Sequence, residues 1–174
     1  MAVYDLNTAH TDLVTGFLED ACQELAGQCE RIIHCLNQLE EADLWWRPHP
    51  EMNAVGNLVL HLSGNLRQWV LAGVGGQPDT RQRQQEFDQR DPLPRAQLVE
   101  MIQSVVTEAC SIIRQQTAAD LLEQRPVQHY QTTGLTAILH AVCHFVGHAQ
   151  EIVYITRWRR GADYEFQWRP PGQR

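Results

Sequence analysis

Apolar residues recur at every third or fourth position through four long stretches of this chain, the period of an α-helix with one buried face. In the first stretch, from about Thr11 to Leu39, they are Leu13, Phe17, Cys22, Leu25, Cys29, Ile32, Leu36 and Leu39. Proline cannot continue a helix and restricts the residue before it, so Leu44-Trp45-Trp46-Arg47-Pro48-His49-Pro50 ends that stretch. A second helix is expected from Asn53, a good N-cap, to about Gly73, with Val55, Leu58, Val59, Leu62, Leu66, Trp69 and Val70 on a broad apolar face. Gly73, Gly75, Gly76 and Pro78 close it.

The polar link from Gln77 to Pro92 exceeds the roughly two to eight residues that a helix hairpin needs, so it is long enough to cross over the bundle. A third helix is expected from about Pro94 to Gln116, with Pro94 in its tolerated first-turn position. Arg125 to Gln131 reads as short and extended. Thr132 or Thr133 then caps a fourth helix from about Gly134 to Arg159. That helix is apolar on most of its circumference and is expected to be buried centrally. The aromatic, arginine-rich tail from Arg160 to Arg174 finds no place in the pattern. With 174 residues, the chain fits one domain, an all-α four-helix bundle over residues 1–174.

Composition removes whole chemistries. All 14 positive charges are arginine, which excludes a Schiff-base lysine, a lysine base and a P-loop. A net charge of −7 argues against nucleic acid and against anionic lipid as partners. Met1-Ala2-Val3-Tyr4-Asp5 lacks the start of a signal peptide, and no stretch stays apolar for the roughly 20 residues of a membrane span. Cys22, Cys29, Cys35, Cys110 and Cys143 form no CxxC pair and read as reduced core residues of a cytoplasmic protein. No GxSxG, GxGxxG, HExxH or EF-hand pattern occurs, and the paired Glu-x-x-His units of di-iron bundles are missing.

Histidine remains. His144 and His148 are four apart on the last helix, so their rings share a face about one turn apart. Two readings fit: a hydrogen-bonded core pair, or two ligands of one metal at Zn–N distances of about 2.0–2.1 Å. A third ligand would come from another helix, where His61 sits mid-helix. If the long link crosses over, the second and fourth helices are antiparallel, and His61 and His148 lie about 12 Å and about 16 Å from the same end of the bundle. His140 extends the face by a turn but drifts off-line, which suits a structural role. Asn57 and Asn65 flank His61 at i−4 and i+4, either as a polar stripe or as residues that steady a ligand or touch a substrate. Gln150 and Glu151 are candidates to orient imidazoles or act as a base. Cys143, Trp45, Trp46 and Trp69 read as packing, the tryptophans at the corner between the first two helices. Arg67 reads as a solvated surface residue.

Asn53 to Trp69, N-A-V-G-N-L-V-L-H-L-S-G-N-L-R-Q-W, and His140 to Ile152, H-A-V-C-H-F-V-G-H-A-Q-E-I, are similar to segments of the DinB/YfiT-like superfamily. Leu44-Trp45-Trp46-Arg47-Pro48 and Asp163-Tyr164-Glu165-Phe166 extend the likeness, which covers nearly the whole chain and points to a bacterial branch of uncharacterised function. The resemblance implies an up-down-down-up four-helix bundle with one divalent metal, usually nickel or zinc, on three histidines. Matched position by position, these are His61, His144 and His148. It also implies a thiol-dependent transferase or isomerase using bacillithiol, mycothiol or glutathione, with hydrolases as another possibility and a homodimer as the assembly. One departure is visible: Ala149 follows the last histidine, and Glu151 separates Gln150 from Ile152.

The leading expectation is therefore a metalloenzyme for a small-molecule substrate. Three neutral imidazoles leave a bound ion its full charge and an open position, the pattern of a catalytic site. A thiol needs no separate general base, and the sequence offers no evident carboxylate for hydrolysis, so thiol transfer leads. The alternatives are a metal-binding stress or scaffold protein and a metal-free helical interaction module.

Overall fold

The computed structural model describes residues 6–168, with side chains described from Leu13 onward; Met1–Asp5 and residues 169–174 of the tail lie outside the described residues. Four long helices form the bundle: α1 (Leu6–Gln38), α2 (Val55–Leu66), α4 (Arg95–Arg114) and α6 (Gly134–Arg160). Short helices α3 (Arg83–Asp88) and α5 (Ala118–Leu122) lie in the connections. Arg125 to Gln131, expected to be extended, forms most of a hairpin of β1 (Gln124–Val127) and β2 (Tyr130–Thr133), which pairs Gln124 with Thr133 and Val127 with Tyr130.

Each long helix is formed by one apolar stripe. On α1, Leu18, Cys22, Leu25, Cys29, Ile32 and Leu36 are buried; on α4, Leu98, Ile102, Val105, Ala109 and Ile113 are buried. Fully burying a side chain of this kind contributes about 1.5–3 kcal/mol, so the stripes dictate which faces meet. α1 and α2 each pack against α4 and α6. The residues that meet give the sense of each pair. Arg114 reaches Glu19 at 3.0 Å while the Arg95 amide donates to Glu41 at 3.1 Å, so α1 and α4 are antiparallel. Gln28 meets Gln150, and Arg159 meets Asp43 just past the end of α1, so α1 and α6 run the same way. His61 meets His144 and Trp69 meets His140, so α2 and α6 are antiparallel.

Several expectations are corrected. Asn53 does not cap α2. Ala54 occupies the N-cap, and its backbone N–H donates back to Asn57 Oδ1 at 3.1 Å. α2 continues into a π-helical turn, Arg67–Ala72, before Gly73. The polar link is not plain coil, because α3 folds within it and lies on α2.

α6 is not surrounded. It is capped by Thr133, whose Oγ1 accepts from the Thr136 amide at 3.2 Å, and ends at Gly161, whose φ of 55° favours glycine. Its inner stripe is Ala137, Ala141, Phe145, Ala149 and Ile152, while Leu135, Leu139, Tyr154 and Trp158 face out. A helix at the corner of a four-helix bundle has only two neighbours, so apolarity around its whole circumference cannot all be buried. Cys143, expected in the core, is exposed for this reason; Cys22, Cys29, Cys35 and Cys110 are buried and free.

By length and mean composition α4 could span a membrane, a test that the core helix of a bundle also passes, although Glu100 and Glu108 interrupt its apolar run. Its apolar stripe is spent on α1 and α2. The start of the tail is placed on α1, where Glu165 C=O accepts from His34 Nε2 at 2.7 Å and from Gln38 Nε2 at 3.1 Å, and Tyr164 is buried.

Candidate metal centre

His61 projects from the middle of α2, and His144 and His148 project from successive turns of α6. Helix packing brings together what the sequence separates by 83 residues, leaving His61 Nε2 and His144 Nε2 2.9 Å apart. The ring centroids are 5.0 Å apart for His61–His144, 5.1 Å for His61–His148 and 4.5 Å for His144–His148. One nitrogen from each ring lies within 4.8 Å of the others, a separation that three ligands of one ion can share.

Two of the rings are held from behind by carboxylates. Glu86 Oε2 is 3.0 Å from His61 Nδ1, and Glu151 Oε2 is 2.7 Å from His148 Nδ1. Burial pushes the Glu86 carboxyl up, but hydrogen bonds from Arg81 and His61 outweigh it and hold the group below its ordinary range. An ionised carboxylate only accepts, so His61 Nδ1–H donates to it and the Nε2 lone pair faces the cluster. Arg81 Nη2, also 3.1 Å from that nitrogen, directs its donors instead to Glu86 and to the His61 carbonyl. Such carboxylate–histidine pairs fix the tautomer and raise the basicity of a ligand.

His144 has no such carboxylate among the described residues. Burial, then the neighbouring histidines and Arg81, push its pKa down to about 3. The ring is neutral at every physiological pH, and its lone pair is available to a metal without displacing a proton from an imidazolium.

Glu86 arrives by a route of its own. Its residue lies in α3, on the crossover link, and its carboxylate takes two bonds from Arg81, Nε to Oε1 at 2.7 Å and Nη2 to Oε2 at 2.8 Å. The Arg81 side chain is only 3% exposed, and its remaining donor reaches Gln68 Oε1 at 2.9 Å. Gly64 on α2 makes room for the pair: a Cβ there would stand 2.0 Å from Glu86 Oε1. Asn57 fastens the same link, donating to the backbone carbonyls of Glu86 at 2.8 Å and Gln89 at 3.1 Å.

Asn57, expected as a support or a substrate contact, thus touches backbone and Arg47, and reaches the site only through Glu86. Asn65 is buried and lines the cavity beside the histidines. His140 lies on Trp69 with ring centroids 3.9 Å apart and parallel to His144 at 5.7 Å, in the wall of that cavity. Trp69 therefore belongs to the site and not to the corner between the first two helices, where Trp45 does pack, against Gly56, and donates to Leu93 C=O at 3.1 Å. Glu151 orients a histidine, and Gln150 instead meets Gln28. Arg67 is exposed and lines a separate cavity. Arg81 and Glu86 escaped the sequence reading altogether. The one available signal was that the link carrying them is longer than a connection requires.

The donor set fits a divalent ion: three imidazoles, one pushed firmly neutral and two backed by carboxylates, beside an open cavity of about 510 Å³. Similar folds are known. A DinB-like protein (YjoA) from Bacillus subtilis matches with a TM-score of 0.64 at 12% identity over 84% of this chain and 96% of that one. A DinB-like protein from Bacillus cereus matches with a TM-score of 0.63 at 15% identity over 81% and 91%. A conserved protein from Enterococcus faecalis matches with a TM-score of 0.67 at 17% identity over 80% and 94%. A search of curated proteins finds no match. Residues 12–173 match a family described as "Protein of unknown function (DUF1572)". The chain belongs to the DUF1572 family, built on the DinB-like fold.

Proposed function

We propose that this protein is a metal-dependent enzyme in which His61, His144 and His148 hold one nickel or zinc ion and a small thiol is the nucleophile, giving S-transferase-like chemistry. The observation that carries the reading is the convergence of the three ring nitrogens, with Glu86 and Glu151 bonded to the far nitrogens of two of them. When bound, the ion supplies Lewis acidity that lowers the pKa of a thiol or water reaching it. The chain's own contribution is positional. Glu86 and Glu151 hold two imidazoles in the tautomer that turns a lone pair inward, and Arg81 keeps Glu86 ionised and in place. The thiol proton leaves to solvent through the open cavity. The sulfur then attacks an electrophilic carbon, and the C–S bond forms as the bond to the leaving group breaks.

A thiol is favoured over water because both carboxylates at the cluster are committed to imidazoles, and among the described residues no Asp or Glu lines the cavity to act as a base. A homodimer in the cytoplasm belongs to the same proposal.

The test is metal content, measured by mass spectrometry on untagged protein, followed by assays of metal-loaded protein with low-molecular-weight thiols and epoxide or haloaromatic electrophiles. About one ion per chain, lost in His61→Ala and His144→Ala, supports the site. Equal, negligible metal in wild type and variants overturns it. Stoichiometric metal with no turnover of any thiol or ester would replace the enzyme with a metal-binding scaffold.

A further inference from the structure

The cavity beside the histidines is bounded by α2, α6 and the β-hairpin, and His61 and His144 form part of its wall. Its lining reverses the charge of the protein. The chain has 21 acidic residues against 14 arginines, yet Arg81 and Arg83 line the cavity and, among the described residues, no Asp or Glu does. The two arginines differ. Arg81 is spent on Glu86 through two bonds. Arg83 meets no carboxylate among the described residues; its guanidinium lies over the Phe87 ring, 4.7 Å from the centroid. Stacking on an aromatic face steadies a guanidinium while leaving its in-plane N–H fork unused, the arrangement that receives a carboxylate or phosphate. The rest of the wall carries amides and hydroxyls, from Asn65, Gln128, Gln131, Thr132 and Thr136, and an aromatic part made of Tyr130 and the stacked Trp69–His140 pair.

We propose that this cavity binds a small molecule by an anionic headgroup, carboxylate or phosphate, received by Arg83, and presents the rest of that molecule to His61 and His144. The inference rests on the reading of the cluster as a reactive centre, and it identifies the substrate class of that site. An ion held by three neutral imidazoles keeps its positive charge and adds to the same preference.

The experiment is calorimetric titration of the zinc-loaded full chain, at fixed ionic strength, with succinate, inorganic phosphate and the uncharged analogue succinamide. The expected result is saturable binding of succinate or phosphate, at least tenfold weaker in Arg83→Gln, unchanged in Arg67→Gln, and absent for succinamide. The tighter of the two anions identifies the headgroup. Equal binding by wild type and Arg83→Gln, succinamide binding as well as succinate, or no binding of either anion overturns the proposal. Zinc content of the same samples separates the two readings. Anion binding that depends on Arg83 in protein that retains no zinc supports the pocket and sinks the metal site. Zinc-loaded protein that binds neither anion sinks the pocket alone.

Discussion

Glu86 Oε2 lies 3.0 Å from His61 Nδ1, although the two residues are 25 apart in sequence, one on the helix that carries the histidine and one on the link that crosses it. A connection expected only to span the bundle therefore also sets the tautomer of a candidate ligand. Because the carboxylate accepts and cannot donate, His61 Nε2 is left as the lone pair facing His144.

Removing that charge with little change of shape should weaken metal binding. Glu86→Gln is expected to lower zinc affinity by about 10–100-fold, read by competition with a chromophoric chelator. Glu151→Gln should cost less, because the Glu151 side chain is 57% exposed and water can replace it. An affinity equal to wild type in Glu86→Gln would show that His61 needs no carboxylate.

Gly64 is the contact point of link and helix. In Gly64→Ala the new Cβ would meet Glu86 Oε1 at 2.0 Å, so the carboxylate must swing away and zinc affinity should fall as far as in Glu86→Gln. Gly27, exposed on α1 with nothing within 4 Å of where a Cβ would stand, is the control. Gly27→Ala should raise stability by about 0.5–1 kcal/mol and leave zinc binding alone. Parallel denaturant melts and chelator titrations read both effects.

Metal should stabilise the fold by mass action. Free zinc at a hundred times its dissociation constant adds about 2.7 kcal/mol, which for a chain of this size is a Tm rise of about 5–10 °C. Differential scanning fluorimetry with and without chelator measures it. The rise should vanish in His144→Ala; a rise that survives there would place the ion elsewhere.

The metal-free protein should lose stability in mild acid. His144 has its pKa pushed down to about 3 from an ordinary 6.5, so between those values the unfolded chain binds a proton that the folded one refuses. Stability is then fully present above pH 6.5 and declines as pH falls below it. His144→Gln removes this contribution, so its Tm should fall less steeply than that of wild type between pH 6.5 and about 4 in chelator-treated samples. Parallel Tm–pH curves would mean that His144 is protonated as easily in the fold as in the open chain.

Thiol titration reads the placement of the cysteines. Cys22 is pushed up to about 12, chiefly by burial, and Cys29 to about 11, whereas Cys143 is exposed. A chromogenic disulfide should report one fast thiol in native protein and five in denaturant, the fast one missing in Cys143→Ser.

The helices were readable because a buried stripe writes its own period. Cys22, Leu25, Cys29, Ile32 and Leu36 repeat at three or four, and no other local structure accounts for that spacing, although before them Leu18 is buried and Leu13 is exposed. The same rule paired His144 with His148, since four residues is about one turn. It misled for α6, whose apolar circumference suggests a central position. Periodicity tells how many faces are apolar and nothing of how many neighbours the helix will have, so Cys143 and Trp158 ended in solvent. Trp69 was misplaced in the same way, because its partner His140 is on another helix.

By itself the sequence determined four helices, their order, the crossover length between the second and third, and a three-histidine set supported by resemblance. Helix-forming and helix-breaking residues act over one or two turns, and those distances are written in the chain. Only the tertiary structure decided which side chains stand behind the ligands and which stand in front. Arg81 and Glu86 reach His61 across 20 and 25 residues of chain, Gly64 leaves them room, and Arg83 joins the cavity wall, all through the way a polar link folds into α3 and lies on α2. Polar residues in a link carry no period, so their partners are fixed only when packed helices give them a surface to meet.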